Sequence, residues 1–109
     1  MDFLENALTR AQFHPGKMQK VNLFETDQSF MDLYCLLPGQ KQKVHTHEDS
    51  DKYYFVLQGK GIFQLADERI ELAAGGACLA RPTIPHGVAN ESDQPLIVLV
   101  LMFPKPPKK

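Results

Sequence analysis

Three of the four histidines stand at positions from which their ring nitrogens could bind one metal ion. His45 and His47 are two residues apart, a spacing that directs both side chains to the same face of a β-strand. His86 lies in a later segment, TIPHGVAN, which completes a face of three nitrogens if it pairs beside the first segment. Neutral imidazole suits Zn, Fe, Ni or Cu far better than Mg or Ca. Alternating histidines also occur on exposed polar faces, so the spacing alone leaves both interpretations open.

The segments around these histidines have the pattern of short β-strands. Residues 2–10 carry apolar side chains at helical spacing, which predicts a short N-terminal helix ending before Pro15 and Gly16. Beyond it, runs rich in β-branched and aromatic residues alternate with turn residues, which indicates an all-β sandwich or small barrel. The predicted strands are 18–25, 29–37, 43–47, 52–58, 61–66, 69–73, 77–81, 86–90 and 96–103.

Length, charge and composition limit the class of protein. A chain of 109 residues with 43% hydrophobic and 23% charged residues is typical of one soluble globular domain. The net charge of -1 gives no general attraction to nucleic acid or to anionic lipid, and the apolar run 96–103 is too short to span a membrane. No signal-peptide pattern is present, and Cys35 and Cys78 form no CxxC pair. These features predict a cytoplasmic protein with two free thiols.

Two longer motifs contain the three histidines. Residues 39–59 read GQKQKVHTHEDSDKYYFVLQG, and residues 75–90 read GGACLARPTIPHGVAN. Together they resemble the first and second motifs of the cupin superfamily, in a small single-domain cupin of the cupin 2 type. The resemblance implies one domain, 1–109, with a double-stranded β-helix or jelly-roll barrel at 17–103. A helix and arm at 1–16 would precede the barrel, and a disordered tail rich in Pro and Lys at 104–109 would follow it.

The resemblance places the metal ligands at His45, His47 and His86 but puts an unexpected residue at the fourth position. Lys52 stands where the first motif ordinarily has a glutamate ligand. A protonated lysine cannot bind a metal ion. A single and a double positive charge about 5 Å apart repel by about 6 to 7 kcal/mol at an effective dielectric constant of about 20.

Three arrangements of Lys52 are therefore open. In the first, its stem swings outward to Glu48, Asp49 or Asp51, and the three histidines bind the metal together with water or substrate. In the second, the site has no metal, and Lys52 with protonated histidines binds a carboxylate or a phosphate. In the third, Lys52 stays inside as a neutral amine and serves as a base or a ligand.

The alternation of side chains along strands predicts further pocket residues. Tyr54 and Val56 share the face of Lys52, so they are expected to line the pocket with it. Gln64 on a neighbouring strand is a further candidate for contact with a ligand, or else a polar residue at the edge of the core.

Two functions stay open on these residues. The first is an oxygenase-like or isomerase-like enzyme that binds a divalent transition metal, Fe, Ni, Mn, Cu or Zn, and acts on a small polar molecule. The second is a non-catalytic protein that binds a small molecule or anion, without metal, through Lys52. A homodimer is expected in both cases, because exposed sheet edges and an apolar outer strand favour association.

Overall fold

The fold is seen in a computed structural model that describes residues 1–107. Within them, one turn of 3-10 helix, Ala7–Arg10, precedes nine strands. The strands are β1 (Gln19–Glu25), β2 (Phe30–Leu36), β3 (Lys41–His45), β4 (Asp51–Gln58), β5 (Lys60–Leu65), β6 (Glu68–Ala73), β7 (Ala77–Ala80), β8 (His86–Ala89) and β9 (Leu96–Phe103). They form two antiparallel sheets of order β1-β2-β9-β4-β7 and β3-β8-β5-β6. The predicted all-β class is confirmed. No helix of residues 1–107 is long enough to cross a membrane.

The core lies between the two sheets because successive side chains of a strand point to opposite faces. In β4, Lys52, Tyr54 and Val56 are buried, whereas Tyr53 and Phe55 are exposed. The larger of two apolar clusters lies here and consists of Tyr34, Leu36, Tyr54, Val56, Phe63, Val88, Leu96, Val98 and Val100. Lys52 continues the inward row of β4, so it borders this core.

The N-terminal helix is shorter than the predicted 2–10. Only Ala7–Arg10 is helical, and the side chain of Asn6 caps this turn by accepting a hydrogen bond from the Leu8 N–H at 3.0 Å. Ala7 and Ala11 pack on a small apolar cluster of the five-stranded sheet, formed by Leu33, Cys35 and Ile97. The segment therefore covers part of the sheet face that points away from the core.

The start of the C-terminal tail is held against the barrel by hydrogen bonds of Pro104 and Lys105. The Lys105 N–H donates to the Gln28 carbonyl oxygen, and the Lys105 ammonium pairs with Glu25, both at 2.6 Å. The Ser50 hydroxyl donates to the Pro104 carbonyl oxygen at 2.6 Å. Lys105 supplies the backbone donor that the neighbouring prolines lack. The prediction of disorder for residues 108 and 109 lies outside the described residues.

The two motif segments are tied together at Asn90, which is fully buried. Its side-chain amide donates to the carbonyl oxygens of Leu36 and Gln94 at 2.9 and 2.8 Å, and its Oδ1 accepts from the N–H and hydroxyl of Ser92. Its backbone exchanges two further hydrogen bonds with the turn before β3. Asn90 therefore fixes the end of β8 beside the start of β3, the two strands that carry histidines.

Candidate metal centre

Antiparallel pairing of β3 with β8 brings the three histidines together. His45, the last residue of β3, lies directly opposite His86, the first residue of β8. His47 lies just beyond the end of β3 and not within a strand of 43–47, yet its ring centre is 4.9 Å from that of His45 and 5.4 Å from that of His86. One nitrogen of each ring lies within 4.8 Å of the others. Three nitrogens grouped in this way could face one ion.

The loop that carries His47 is held against the turn that precedes β8. The Thr83 N–H donates to the His47 carbonyl oxygen at 2.7 Å. Thr83 has a φ of 72°, a left-handed conformation that is unusual for a β-branched residue. The prolines on each side of the Thr83–Ile84 pair restrict the backbone further. This turn therefore fixes the backbone of His47 beside His86.

Two of the three imidazoles are oriented by backbone carbonyls. The Nδ1 of His45 lies 2.8 Å from the Lys43 carbonyl oxygen, and the Nδ1 of His86 lies 2.8 Å from the Ile84 carbonyl oxygen. A carbonyl oxygen only accepts hydrogen bonds, so Nδ1 carries the proton in each ring and Nε2 keeps its lone pair. The Nε2 of His86 is buried and has no hydrogen-bond partner within residues 1–107. A buried acceptor costs free energy unless a partner binds it.

The three rings are mainly neutral at pH 7. Burial, with a smaller effect from the nearby charge of Lys52, lowers the pKa of His86 from 6.5 to about 4, although the hydrogen bond to the Ile84 carbonyl oxygen opposes this. Burial also lowers the pKa values of His45 and His47, again with a smaller effect from Lys52. Neutral imidazole is the form that binds a transition metal.

Lys52 points into the barrel, so the outward arrangement is contradicted. Its side chain is 1% exposed, and its Nζ lies 4.9 Å and 5.3 Å from the ring centres of Tyr34 and Tyr54. The alternation along β4 explains this direction, because Lys52 occupies the same inward row as Tyr54 and Val56. The structure thus leaves the two arrangements in which Lys52 stays inside.

The environment of Lys52 favours its neutral amine. Burial, with a smaller effect from the positive charge of Lys20, lowers the pKa of Lys52 from 10.5 to about 7, although the carboxylate of Asp32 opposes both effects. About half of the Lys52 side chains are then neutral at pH 7. The neutral form avoids charge repulsion with a metal ion on the histidines.

A cavity of about 450 Å³ opens beside the histidines. Its wall includes His45 and His47, the amines of Lys20 and Lys52, and the apolar side chains of Phe30 and Met102. This volume is within the range of sites that bind small molecules. A ligand in the cavity would meet imidazole rings, amines and an apolar surface together.

The other predicted pocket residues lie elsewhere. Tyr54 and Val56 are sealed within the core, at 1% and 0% exposure, although the Tyr54 hydroxyl reaches the polar site. Gln64 faces away from the cavity, and its side chain donates to the Ala66 carbonyl oxygen at 2.7 Å. Phe63 takes the inward position of β5, so the neighbouring Gln64 must face outward. Of the four residues predicted to line the pocket, Lys52 lines the cavity.

Comparison with known proteins identifies the family. Residues 32–102, more than half of the chain, match the family model of the cupin domain. The chain belongs to the cupin family. The resemblance of the two motifs is therefore confirmed, and the double-stranded β-helix architecture is shared with relatives of solved structure.

One relative is similar to this cupin along nearly the whole length of both chains. A protein of Thermus thermophilus with a crystal structure is 42% identical, covers 97% of this chain and 100% of its own, and has a TM-score of 0.93. An uncharacterized protein of Methanocaldococcus jannaschii is 32% identical over 61% of this chain and 53% of its own. An oxalate-binding protein of Thermotoga maritima is 26% identical over 62% of this chain and 56% of its own. The chain spans about half the length of these two curated relatives.

The cupin site also contains a polar network that the sequence did not reveal. Gln42 donates from Nε2 to the Tyr34 hydroxyl at 3.1 Å, and its Oε1 accepts from the Tyr54 hydroxyl at 3.3 Å and from Lys52 Nζ at 3.5 Å. Gln42 and His45 are three residues apart, so simple alternation places them on opposite faces. Irregular pairing of β3 between these two residues brings both inward. The sequence did not indicate Tyr34 as a site residue, because β2 is buried on both faces and shows no alternation.

Proposed function

We propose that this cupin binds one divalent transition-metal ion through His45, His47 and His86 and acts on a small polar molecule in the adjoining cavity. The observation that carries the proposal is the buried Nε2 of His86, which has no partner among residues 1–107. Two other imidazoles lie beside it, with a nitrogen of each ring within 4.8 Å of the others. A metal ion would satisfy this lone pair and use all three rings.

The donor set fits the predicted group of metals, Fe, Ni, Mn, Cu or Zn. Three histidine ligands leave coordination positions for water or substrate, and the bound ion would supply Lewis-acid or oxygen-activating chemistry. The carbonyl oxygens of Lys43 and Ile84 accept hydrogen bonds from Nδ1 of His45 and His86 and leave Nε2 of each ring available. Metal-binding histidines are usually oriented by hydrogen bonds of this kind. Phe30 and Met102 form an apolar wall that limits the water around a bound substrate.

The reaction we propose is oxygenase-like or isomerase-like, and two measurements separate these classes. Fe(II)-loaded protein is mixed with a panel of β-diketones, thiols and catechols in an oxygen electrode. An oxygenase is expected to consume oxygen at least about 10-fold faster than free Fe(II), a small demand beside the usual 10⁶-fold or greater acceleration by enzymes. An isomerase is expected to exchange substrate protons with D2O, seen by NMR, without oxygen uptake. His45→Ala is the control for both, and no activity in either assay across the panel would contradict the catalytic proposal.

A second candidate function, non-catalytic binding of an anion, is favoured by the inward direction of Lys52. Lys20 Nζ lies 5.3 Å from the same Tyr34 ring that Lys52 approaches, so two amines serve one cavity. The Thermotoga relative is named as an oxalate-binding protein, which makes oxalate the first ligand to test. Calorimetric binding of oxalate to metal-free protein, lost in Lys52→Met, would support this function. Binding that requires added metal would support the histidine site.

The outer face of the five-stranded sheet supports the proposal of a homodimer. Tyr53, Phe55 and Phe103 are 42%, 41% and 50% exposed there, and exposed apolar side chains of this size mark association surfaces. Light scattering at micromolar concentration is expected to give the mass of two chains, and the mass of one chain would contradict the dimer. Cytoplasmic location remains a proposal from the sequence, and it is compatible with the free thiols of Cys35 and Cys78.

A further inference from the structure

Lys52 is the only buried lysine among residues 1–107, and it lines the cavity. Its hydrogen bond to Gln42 Oε1 is long, at 3.5 Å, and aromatic faces of Tyr34 and Tyr54 lie beside its Nζ. Lys105, by contrast, pairs with Glu25 at 2.6 Å. The metal site proposed above is formed by the three histidines and assigns no role to this amine.

We propose that Lys52 is a nucleophile that forms an imine with a small 2-oxo acid bound in the cavity. The geometry of the cavity carries this inference, because Lys52 lines a partly apolar space of about 450 Å³ that a small carbonyl compound can share. An imine survives only where the amine is positioned and water is restricted.

The amine has the lone pair that such a reaction needs. The neutral form of Lys52 is present in about half of the molecules at pH 7, since burial and the charge of Lys20 lower its pKa to about 7. An exposed lysine with a pKa near 10.4 has less than about one amine in a thousand neutral at that pH. The neutral share of Lys52 is therefore at least several hundred times that of an exposed lysine. Its side chain is only 1% exposed, so a substrate would meet the amine from the cavity that Lys52 lines.

The class of substrate follows from the charges and the size of the cavity. Lys20 is exposed at the same cavity, and its Nζ lies 5.3 Å from the centre of the Tyr34 ring that Lys52 also approaches. Lys20, Lys52 and the carboxylate of Asp32 all line this cavity, so its wall carries more amines than carboxylates. We expect a substrate carboxylate to pair with Lys20 and the carbonyl group of the same molecule to meet Lys52. The apolar side chains of Phe30 and Met102 suit a short carbon chain. Glyoxylate and pyruvate have this combination of groups.

The chemical step needs no oxidant or reductant. The Lys52 nitrogen lone pair attacks the carbonyl carbon, the C=O π electrons move to oxygen, and one proton passes from nitrogen to that oxygen to give a carbinolamine. The oxygen takes up a second proton and leaves as water while the nitrogen lone pair forms the C=N bond, and nitrogen then loses its remaining proton, so that both amine protons leave in the water. The Tyr54 hydroxyl shares the Gln42 oxygen with Lys52, so an O–H group is held close to the reacting amine. The proposal does not depend on a metal ion.

Reductive trapping tests the inference on the full-length, metal-free protein. The protein is incubated with glyoxylate and sodium cyanoborohydride at pH 7 with a chelator, and peptide mapping assigns the label to each lysine and to the terminal amine. We expect Lys52 to be labelled at least 10-fold faster than any other lysine, and Lys52→Met to lose that label. Labelling of exposed lysines with Lys52 unmodified, or equal labelling of all lysines, would overturn the proposal. The mapping of the unmutated protein decides this even if the variant fails to fold.

Lys20→Met provides the matched control for the carboxylate contact. Trapping of glyoxylate at Lys52 is expected to slow about 5-fold or more in this variant, because the ion pair with the carboxylate is lost. Trapping of acetaldehyde, which has no carboxylate, is expected to slow less, because it loses only the effect of the Lys20 charge on the pKa of Lys52. Equal slowing of both reagents would overturn the assignment of 2-oxo acids as the substrate class.

Loss of ¹⁸O from labelled pyruvate gives a second readout without a reductant. Each cycle of imine formation and hydrolysis replaces the carbonyl oxygen with one from water. The metal-free protein is expected to speed this exchange at least 10-fold over buffer, and Lys52→Met is expected to abolish the increase. Exchange that appears only with added metal would overturn the role of Lys52 while leaving the histidine site in place.

Discussion

Replacement of Lys52 by methionine is expected to stabilise the metal-free protein by about 2 to 4 kcal/mol at pH 6, measured by urea unfolding. Methionine keeps the length of the stem and its contacts with Tyr34 and Tyr54 but removes the charge. The folded state lowers the pKa of Lys52 from 10.5 to about 7, which corresponds to about 5 kcal/mol at 1.36 kcal/mol per pKa unit. Attraction of the ammonium to the two rings offsets about 1 to 2 kcal/mol of this penalty.

The stabilisation is expected to shrink as the pH rises from about 7 to about 10.5. In this window the unfolded chain binds the Lys52 proton and the folded chain does not, so rising pH stabilises the parent protein. The Lys52→Met variant lacks the amine, so its stability does not rise with pH through this titration. The other charged or titratable groups around Lys52 are present in both proteins and largely cancel in the comparison; they are Lys20, Asp32, Tyr34, His45, His47, Tyr54 and His86.

Lys20→Met is the control for the stability measurement, because Lys20 is exposed and contacts the same Tyr34 ring. This variant is expected to differ from the parent by less than about 0.5 kcal/mol at pH 6. A Lys52→Met protein that is less stable than the parent at pH 6, or a difference that does not change with pH, would contradict a buried amine at this position.

Replacement of His86 by alanine is expected to weaken zinc binding by about 100-fold or more, measured by calorimetry on metal-free protein. Loss of a residue that only hydrogen-bonds to a metal ligand already weakens metal affinity by about 10-fold to 100-fold, and this change removes a ligand itself. His86 is the ring that lies opposite His45 and is close to His47, so its removal opens the proposed donor set.

His14→Ala is the matched control for His86→Ala. His14 is exposed, and its Nδ1 accepts a hydrogen bond from the Gly16 N–H at 2.8 Å. It lies outside the group of three histidines, so zinc affinity is expected not to change. Equal zinc affinities of the parent and His86→Ala, with both proteins shown to be folded by circular dichroism, would remove His86 from the site.

The convergence of the histidines could be predicted because it depends on short-range rules. Spacing of two residues directs His45 and His47 to one side, and the motif resemblance places His86 beside them. The strand boundary was less accurate, since β3 ends at His45 and the loop held by Thr83 positions His47. The all-β class was likewise predictable, because turn residues and alternating patterns mark most of the strands, whereas the cupin fold was predicted from the resemblance of the two motifs.

Alternation along β4 could place Lys52 on the face of Tyr54 and Val56, but the surroundings of its amine could not be predicted, because they depend on residues far away in the sequence. Tyr34 and Gln42, which surround its amine, come from other strands, and the irregular pairing of β3 that turns Gln42 inward leaves no mark in the local pattern. Gln64 is different, since the apolar Phe63 beside it already favoured an outward Gln64. The packed tail depends on the long-range ion pair of Lys105 with Glu25, which proline content does not reveal.

Elemental analysis of the protein purified without an affinity tag and without a chelator tests the proposed metal site directly. We expect about one equivalent of Fe, Ni, Mn, Cu or Zn per chain, held by the three histidines. A protein that contains none of these metals, and that stays empty when each is added back and excess metal is removed, would contradict the metal site at His45, His47 and His86.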